Sequence, residues 1–125
     1  MSHEIEMHCR AGKEPEARYN PDGKLVVSLS VASTEGYGDN KSTAWFRLSF
    51  WEKDAEFVNQ YVKKGHLLFI KGRLNFDKTT GGPRIYKRRD GTDGTSFEVK
   101  VREFELLTPK GDNTPAPVEE DGIPF

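Results

Sequence analysis

Two tryptophans and an arginine lie on one side of an alternating segment near the middle of the chain. The apolar members of this segment recur at every second position, at Phe46, Leu48 and Phe50. Successive side chains of a strand point to opposite faces, so Trp45, Arg47 and Trp51 share the face away from that apolar row. Aromatic rings can stack on unpaired bases, and a cation among them can neutralise phosphate. The segment therefore predicts a binding face for single-stranded nucleic acid.

Other aromatic and basic residues fall where they could extend this face. Tyr37 lies in a turn-rich segment before the tryptophans, and Tyr86 lies in a long loop farther along the chain. The expected cations are outward-facing strand residues or neighbours of Tyr86 in that loop, namely Lys71, Arg73, Arg84, Lys87 and Arg88. Each stacked base would contribute about 1 to 3 kcal/mol, whereas phosphate contacts mainly add salt dependence. We therefore expect stacking to dominate binding at high salt.

Two plainer interpretations fit the same residues. Trp45 and Trp51 could pack in a subunit interface, because aromatic residues are also enriched there. The basic loop could be an ordinary solvated hairpin, since Asp77, Asp90 and Asp93 dilute its positive charge. The residues alone leave both interpretations open.

The sequence contains no convincing catalytic or metal-binding constellation. His3, His8 and His66 have no metal-ligand spacing with the single cysteine of the chain. The Gly81-Gly82 pair is typical of a turn and does not form a phosphate-cradling motif. We therefore expect a protein that is not an enzyme and that has no cofactor and no bound metal.

Cysteine usage and the start of the chain indicate a cytoplasmic protein. The single cysteine, Cys9, excludes an intramolecular disulfide framework and continues an alternating apolar row, which favours a buried core residue. The first residues lack the basic-then-apolar pattern of a signal peptide, and the sequence has no long apolar run. We expect no membrane segment.

Five alternating segments and one helical segment would position these residues. The apolar members of the five predicted strands are Ile5/Met7/Cys9, Leu25/Val27/Leu29/Val31, Phe46/Leu48/Phe50, Leu68/Ile70/Leu74 and Phe97/Val99/Val101. Between the third and fourth strands, Asp54 is placed to cap a helix and Gly65 to end it. Three strands, a helix and two strands is the order of an OB-fold, a five-stranded Greek-key barrel. The predicted fold is all-β with one helix, although this pattern also fits another small barrel or sandwich.

An acidic tail follows the predicted barrel. Residues 1–107 form the predicted nucleic-acid-binding domain, 108–118 a Pro- and Gly-containing flexible linker, and 119–125 an acidic tip. The tip places carboxylates beside an apolar chain end, and its expected partner-binding residues are Glu119, Glu120, Asp121, Ile123, Pro124 and Phe125. A terminal Phe beside Pro and acidic residues has no core to enter. We therefore expect a disordered tail whose tip docks in another protein.

Taken in order, these segments resemble the bacterial-type single-stranded-DNA-binding protein family. The resemblance rests on motifs along nearly the whole chain: Glu14-Pro15-Glu16-Ala17-Arg18-Tyr19, Pro21-Asp22-Gly23-Lys24, Val31-Ala32-Ser33-Thr34, Trp45-Phe46-Arg47, Trp51-Glu52-Lys53-Asp54-Ala55-Glu56, Tyr61-Val62-Lys63-Lys64-Gly65, Ile70-Lys71-Gly72-Arg73-Leu74 and the terminal Ile-Pro-Phe. It implies an OB-fold homotetramer that wraps single-stranded DNA without strong sequence preference. It also implies a nucleoid-associated protein that recruits replication, recombination and repair enzymes through its tail.

The chain departs from the pattern of this family at several positions. The stacking aromatics of the family match Tyr37, Trp45 and Trp51, but a fourth aligns near Thr79, which cannot stack. Phe76 or Tyr86 is expected to replace that ring. The linker is shorter than is usual in the family, the segment from 77 to 95 is unusually rich in Gly and basic residues, and Gly122 interrupts the acidic run of the tip.

Two other functions remain compatible with the sequence. One is an OB-fold RNA-binding module, because stacking acts on DNA and RNA alike. The other is a protein-binding adaptor whose barrel serves as an oligomeric scaffold. Oligonucleotide binding by wild-type and tryptophan-substituted protein would distinguish these functions.

Overall fold

Alternating apolar residues build most of the strands, as the sequence predicts. A computed structural model describes residues 2–108, and the predicted acidic tip and all but the first residue of the predicted linker lie outside the described residues. In chain order the elements are β1 (Glu4–Ala11), β2 (Glu16–Tyr19), β3 (Leu25–Glu35), a 3-10 helix (Gly38–Asn40), β4 (Ser42–Trp51), α1 (Glu52–Tyr61), β5 (Leu67–Asn75), β6 (Arg84–Lys87) and β7 (Asp93–Leu106).

Five of these strands close into a barrel. The sheet runs in the order β1-β5-β7-β4-β3, and β3 pairs back with β1 through Arg10↔Ala32 and Ala11↔Val31. The β4–β7 pairing is parallel, and the other pairings are antiparallel. A closed five-stranded barrel with one α-helix confirms the predicted OB-fold.

Two short strands were not predicted from the sequence. Strand β2 pairs with β3, and β6 pairs with the first residues of β7. Each has four residues, and all of them are exposed. Neither therefore carries the alternation of buried and exposed residues by which a strand is recognised. The β6–β7 hairpin, called the arm below, occupies most of the segment between 77 and 95.

The predicted apolar rows line the core, with one exception. Leu29, Leu48, Phe50 and Ile70 are completely or almost completely buried. Phe97 is 47% exposed, so its predicted place in the core is wrong. Phe97 is the first β7 residue paired with β4 and directly follows the part of β7 that pairs with β6, so it lies at the end of the β4–β7 ladder.

Helix α1 packs on the core through Ala55 and Val58, but its ends differ from the prediction. It begins at Glu52 directly after β4, and the N-cap residue makes no side-chain capping hydrogen bond. Asp54 is therefore not the cap. It lies in the first turn, where the positive end of the helix dipole stabilises an acidic side chain. The helix ends at Tyr61, and Gly65 instead adopts a φ of 90° in the turn that leads to β5.

The thiol of Cys9 lies within the core. The residue is 2% exposed, and burial raises the pKa of its thiol to about 12. Deprotonation would put an unpaired charge in an apolar environment. The thiol therefore stays protonated near neutral pH, in agreement with the core role predicted for Cys9.

The last described residues are held on the barrel. The Leu107 N–H donates to the Leu67 carbonyl at 2.8 Å, and the Leu67 N–H donates to the Thr108 hydroxyl at 2.9 Å. The sequence places Thr108 at the start of the linker. These hydrogen bonds attach Thr108 to the barrel.

We predict that Glu52→Gly unfolds at higher urea concentration than Glu52→Ala. Glu52 has a φ of 56°, in the left-handed region that costs a side chain about 1 to 2 kcal/mol and costs glycine little. Both substitutions remove the exposed ion pair with Lys24, so their difference isolates the backbone. A Glu52→Gly protein that unfolds at lower urea concentration than Glu52→Ala would contradict this account, because only the greater unfolded-state entropy of glycine would then separate the two variants.

Candidate nucleic-acid interface

Small side chains on β3 leave the predicted binding face of β4 open. Trp45 lies opposite Ala32, and Arg47 lies opposite Ser30. The parallel strand β7 places Glu98 on the other side of Arg47. The larger side chains of β4 can therefore stand above the neighbouring small residues of β3. The predicted separation of an inward apolar row and an outward aromatic row is confirmed.

Trp45 is 41% exposed and fits against a glycine. A Cβ atom built on Gly12 would lie 2.5 Å from Cζ3 of the Trp45 indole. The Gly12 N–H also donates to the Ser30 carbonyl at 2.8 Å, which fixes this backbone beside the ring. Gly12 is therefore required for the observed position of Trp45.

Tyr86 reaches the same groove from the arm. Its ring lies against Gly94, where an added Cβ would be 2.6 Å from Tyr86 Cζ, and it is 49% exposed. The groove has a volume of about 370 Å³ and is lined by Ser30, Trp45, Phe46, Arg47, Tyr86, Thr95, Ser96 and Glu98. The structure thus brings together two partly exposed rings and Arg47, which the sequence predicted separately. Each ring rests on a glycine.

The basic residues of the arm lie on both of its sides. Arg84 pairs with Ser96, a residue of the groove, and therefore lies on the same side of β6 as Tyr86. Arg88 lies with its guanidinium carbon 6.0 Å from the Tyr86 ring centroid. Lys87 lies on the opposite side of the strand and contacts Asp93 at 2.7 Å. Of the three predicted arm cations, Arg84 and Arg88 are therefore the ones near the groove.

Trp51 occupies a second position along the same face. It lies six residues after Trp45, which corresponds to about 20 Å along an extended strand. Trp51 is only half-buried, but its Nε1 atom is buried and has no hydrogen-bond partner among residues 2–108. The Lys100 ammonium lies 4.9 Å from the Trp51 ring centroid. The Nε1 edge of this indole therefore points inward, and a lysine covers its ring.

Tyr37 is the most exposed of the predicted aromatic residues. It is 90% exposed and precedes the 3-10 helix in the loop between β3 and β4. The Asn40 N–H donates to the Tyr37 carbonyl at 2.8 Å, which closes the turn that follows Tyr37. The β3–β4 ladder has one end near Trp45, and Tyr37 lies beyond that end. It therefore extends the series of aromatic residues in that direction.

The remaining predicted residues lie outside the groove. Lys71 contacts Glu6 at 3.7 Å and pairs in register with Glu103, so carboxylates surround its charge. Arg73 is in register with both Glu4 and Lys100.

Phe76 follows β5 and contacts His3 edge-on, with a centroid distance of 5.5 Å. Of the two rings predicted to replace the missing aromatic, Tyr86 is therefore the one that lies in the groove with Trp45. Phe76 does not line that groove.

Acidic groups limit the positive charge of this face. Glu98 lines the groove, and its carboxylate accepts a hydrogen bond from the Ser96 hydroxyl at 3.1 Å. In the turn of the arm, hydrogen bonds from the Thr92 hydroxyl and N–H lower the pKa of Asp90. Asp90 therefore stays ionised beside the arm cations. Aromatic surface, rather than a uniform positive field, is what distinguishes this face.

Comparison with known proteins agrees with this geometry. The sequence profile of the Single-strand binding protein family matches residues 3–107. This chain belongs to that family.

Two relatives named Single-stranded DNA-binding protein illustrate the similarity. The protein of Neisseria meningitidis serogroup A / serotype 4A is 33% identical over 117 residues, which cover 89% of this chain and 63% of the relative. The protein of Thermosynechococcus vestitus is 35% identical over 115 residues, covering 92% and 90% respectively. This chain thus spans less than two thirds of the Neisseria protein and most of the Thermosynechococcus protein.

The sequence held signals for three residues that had not been predicted as part of this face. Lys100 lies between Val99 and Val101, so its outward direction follows from the alternation. Gly12 and Gly94 are isolated glycines at a strand end and within a strand, where glycine often marks a close approach by another group. The identity of the approaching rings required the folded barrel.

Residues 2–108 lack two features that would indicate other functions. This region contains no group of three or more His, Cys, Asp or Glu residues that could hold a metal ion. None of its helices has both the length and the apolar character needed to cross a bilayer.

We predict that Gly12→Ala displaces the Trp45 ring without unfolding the protein. The new methyl group would collide with the far end of a side chain that can rotate, so the ring must move. In a Trp51→Phe background, in which Trp45 is the only tryptophan, the emission spectrum of Trp45 should change. Gly82→Ala is the matched control, because a Cβ added there would lie 3.6 Å from its nearest contact, the Thr80 hydroxyl. Identical spectra for Gly12→Ala and its parent would contradict this account.

Proposed function

We propose that this protein binds single-stranded DNA with little sequence preference. The observation that carries the proposal is the groove in which the rings of Trp45 and Tyr86 accompany Arg47. Unpaired bases offer flat faces to such rings, and their phosphates offer negative charge to the arginine. Membership of the Single-strand binding protein family and the names of its relatives support the same function.

Stacking on Trp45 and Tyr86 accounts for weak sequence preference. Every base has a π face, so a ring accepts any base without reading its edge. The Glu98 carboxylate in the groove repels phosphate, which favours a base over the backbone at that position. Arg47, Arg84 and Arg88 then provide charge for the phosphates around the stacked bases.

The strand of DNA continues along β4 in this proposal. Tyr37 and Trp51 extend the aromatic series beyond the groove at its two ends. Arg73 provides charge on the Trp51 side, through its register with Lys100. Lys71 and Lys87 contribute after phosphate replaces their present carboxylate partners, and Phe76 provides a further ring at the start of the segment between β5 and β6.

Assembly forms a further part of the proposal. Ile85 and Phe97 are large apolar residues that are 45% and 47% exposed. They share the side of the arm away from Tyr86, since residues alternate along its two paired strands. Covering such residues between copies of the chain fits the homotetramer that the family resemblance implies. The proposed role is binding and not catalysis.

The acidic tip is proposed to recruit replication, recombination and repair proteins to the DNA. Its carboxylates and Phe125 offer both a charged and an apolar contact. A short linker keeps this tip at a high local concentration near the barrel. The proposed location is the cytoplasm, in association with the nucleoid.

We predict that Trp45→Ala weakens binding of oligo-dT by about 1 to 3 kcal/mol, the usual contribution of one stacked base. Tyr19→Ala is the matched control, because Tyr19 is 73% exposed but lies opposite Leu25, out of phase with the outward row. Fluorescence anisotropy of labelled oligo-dT would measure both variants. A Trp45→Ala protein that keeps its fold and full affinity would refute the proposed stacking.

The same assay separates the two alternative functions. If unlabelled oligo-U competes as strongly as unlabelled oligo-dT, the protein does not distinguish RNA from DNA. That result would fit an RNA-binding module as well as a DNA-binding one. An adaptor scaffold would show loss of assembly in Trp45→Ala and Trp51→Ala without a change in oligonucleotide affinity. Native mass measurement on the same samples gives the number of subunits.

We predict that deleting residues 119–125 modestly tightens DNA binding at low salt and abolishes capture of partner proteins. The acidic tip competes with phosphate for the same basic residues, and salt screens this competition. Salt-dependent anisotropy of wild-type and truncated protein would measure the effect. Weaker DNA binding by the truncated protein would contradict this account of the tip.

A further inference from the structure

Lys100 differs from the neighbouring cations in what its charge contacts. Lys71 and Arg102 on the same outer wall contact the carboxylates of Glu6 and Glu4. Among residues 2–108, the contact shown by the Lys100 ammonium is with the ring of Trp51, at 4.9 Å from the centroid. Lys100 thus covers an aromatic surface that the proposed function requires to be open.

The register of the sheet places Lys100 between β4, which carries Trp51, and β5, which carries Arg73. It pairs with Ser49 on β4 and with Arg73 on β5. Ser49 is two residues before Trp51 on the same face, so Lys100 reaches the indole from the adjacent strand. The order of the strands therefore places Lys100 and then Arg73 on one side of Trp51.

The orientation of the Trp51 indole allows a base to take the place of the lysine on its ring face. Its Nε1 edge is buried, which leaves the ring face, rather than the N–H, for a ligand. An exposed cation–π contact changes an equilibrium by about two- to five-fold, whereas one stacked base changes affinity by about five- to 150-fold. A base therefore displaces the ammonium.

The charge of Lys100 still contributes to binding after a base displaces the ammonium from the ring. The four-carbon stem of lysine is flexible and carries its charge as a compact group. An ammonium that leaves the ring remains beside the base that replaced it. The backbone phosphate of that nucleotide is then the nearest new anion that the complex supplies.

We propose that Lys100 is a DNA-binding residue that caps Trp51 in the free protein and moves to a phosphate when a base stacks on Trp51. The inference rests on the proposed single-stranded-DNA function and adds Lys100 to the proposed nucleotide position at Trp51 and Arg73. This position lies apart from the groove of Trp45 and Tyr86. The exchange couples stacking to charge neutralisation at one residue.

The test uses a Trp45→Phe protein, in which Trp51 is the only remaining tryptophan of the chain's two. The first measurement is quenching of Trp51 fluorescence by acrylamide without DNA. Adding Lys100→Gln should raise the quenching constant, because the cap is gone. Lys100→Arg should restore protection, since a guanidinium also stacks on aromatic rings. Lys63→Gln, an exposed lysine beyond the far end of α1, is the control.

The second measurement is oligo-dT affinity at several salt concentrations. Lys100→Gln should reduce the slope of log affinity against log salt by about 0.7, the value for one phosphate contact with a single strand. Lys100→Arg should retain the slope of the parent. Together, a more accessible Trp51 and a smaller slope support the exchange.

Other outcomes overturn the inference in distinct ways. Unchanged acrylamide quenching in Lys100→Gln shows that there is no cap. Increased quenching with an unchanged salt slope shows a cap without transfer to phosphate. If oligo-dT binds neither the wild-type protein nor any variant, the proposed function itself fails, while the acrylamide measurement still tests the cap.

Discussion

The register of β4 is the constraint on which the barrel and its proposed binding face both depend. One parity of this strand puts Leu48 and Phe50 into the core, and the other puts Trp45 and Arg47 outside. A slip of one residue would bury the arginine and expose the apolar row. Burial of the core therefore fixes the binding face. The face requires no separate source of rigidity, because pairing with β3 and β7 holds the strand on both sides.

Close packing between rings and glycines then sets the shape of the face. Trp45 and Tyr86 each occupy space that a Cβ on Gly12 or Gly94 would fill. The rings are thereby held at defined places while part of their surface remains exposed. Preformed rings lose less conformational freedom on binding than mobile ones would, which favours affinity. The arm adds its ring to the barrel through the β6–β7 pairing.

Alternation predicted the barrel and the outward tryptophans because period-two burial leaves a direct trace in the sequence. It did not predict β6, whose four residues are all exposed and leave no such trace. Helix-capping preference also gave Asp54 the wrong role, because α1 begins directly from β4 without a side-chain cap. The convergence of Tyr86 with Trp45, and of Lys100 with Trp51, depends on strands that are distant in sequence. Those contacts follow from sheet order, which local patterns do not encode.

Stacking at Trp45 is the central physical claim, and it can be isolated in a Trp51→Phe protein. The most direct measurement is Trp45 fluorescence during titration with oligo-dT at increasing salt. Salt weakens phosphate contacts but leaves stacking geometry intact, so the account predicts falling affinity with an unchanged quenching amplitude at saturation. Absence of saturable quenching at moderate salt, in protein whose circular dichroism shows the folded barrel, would contradict it.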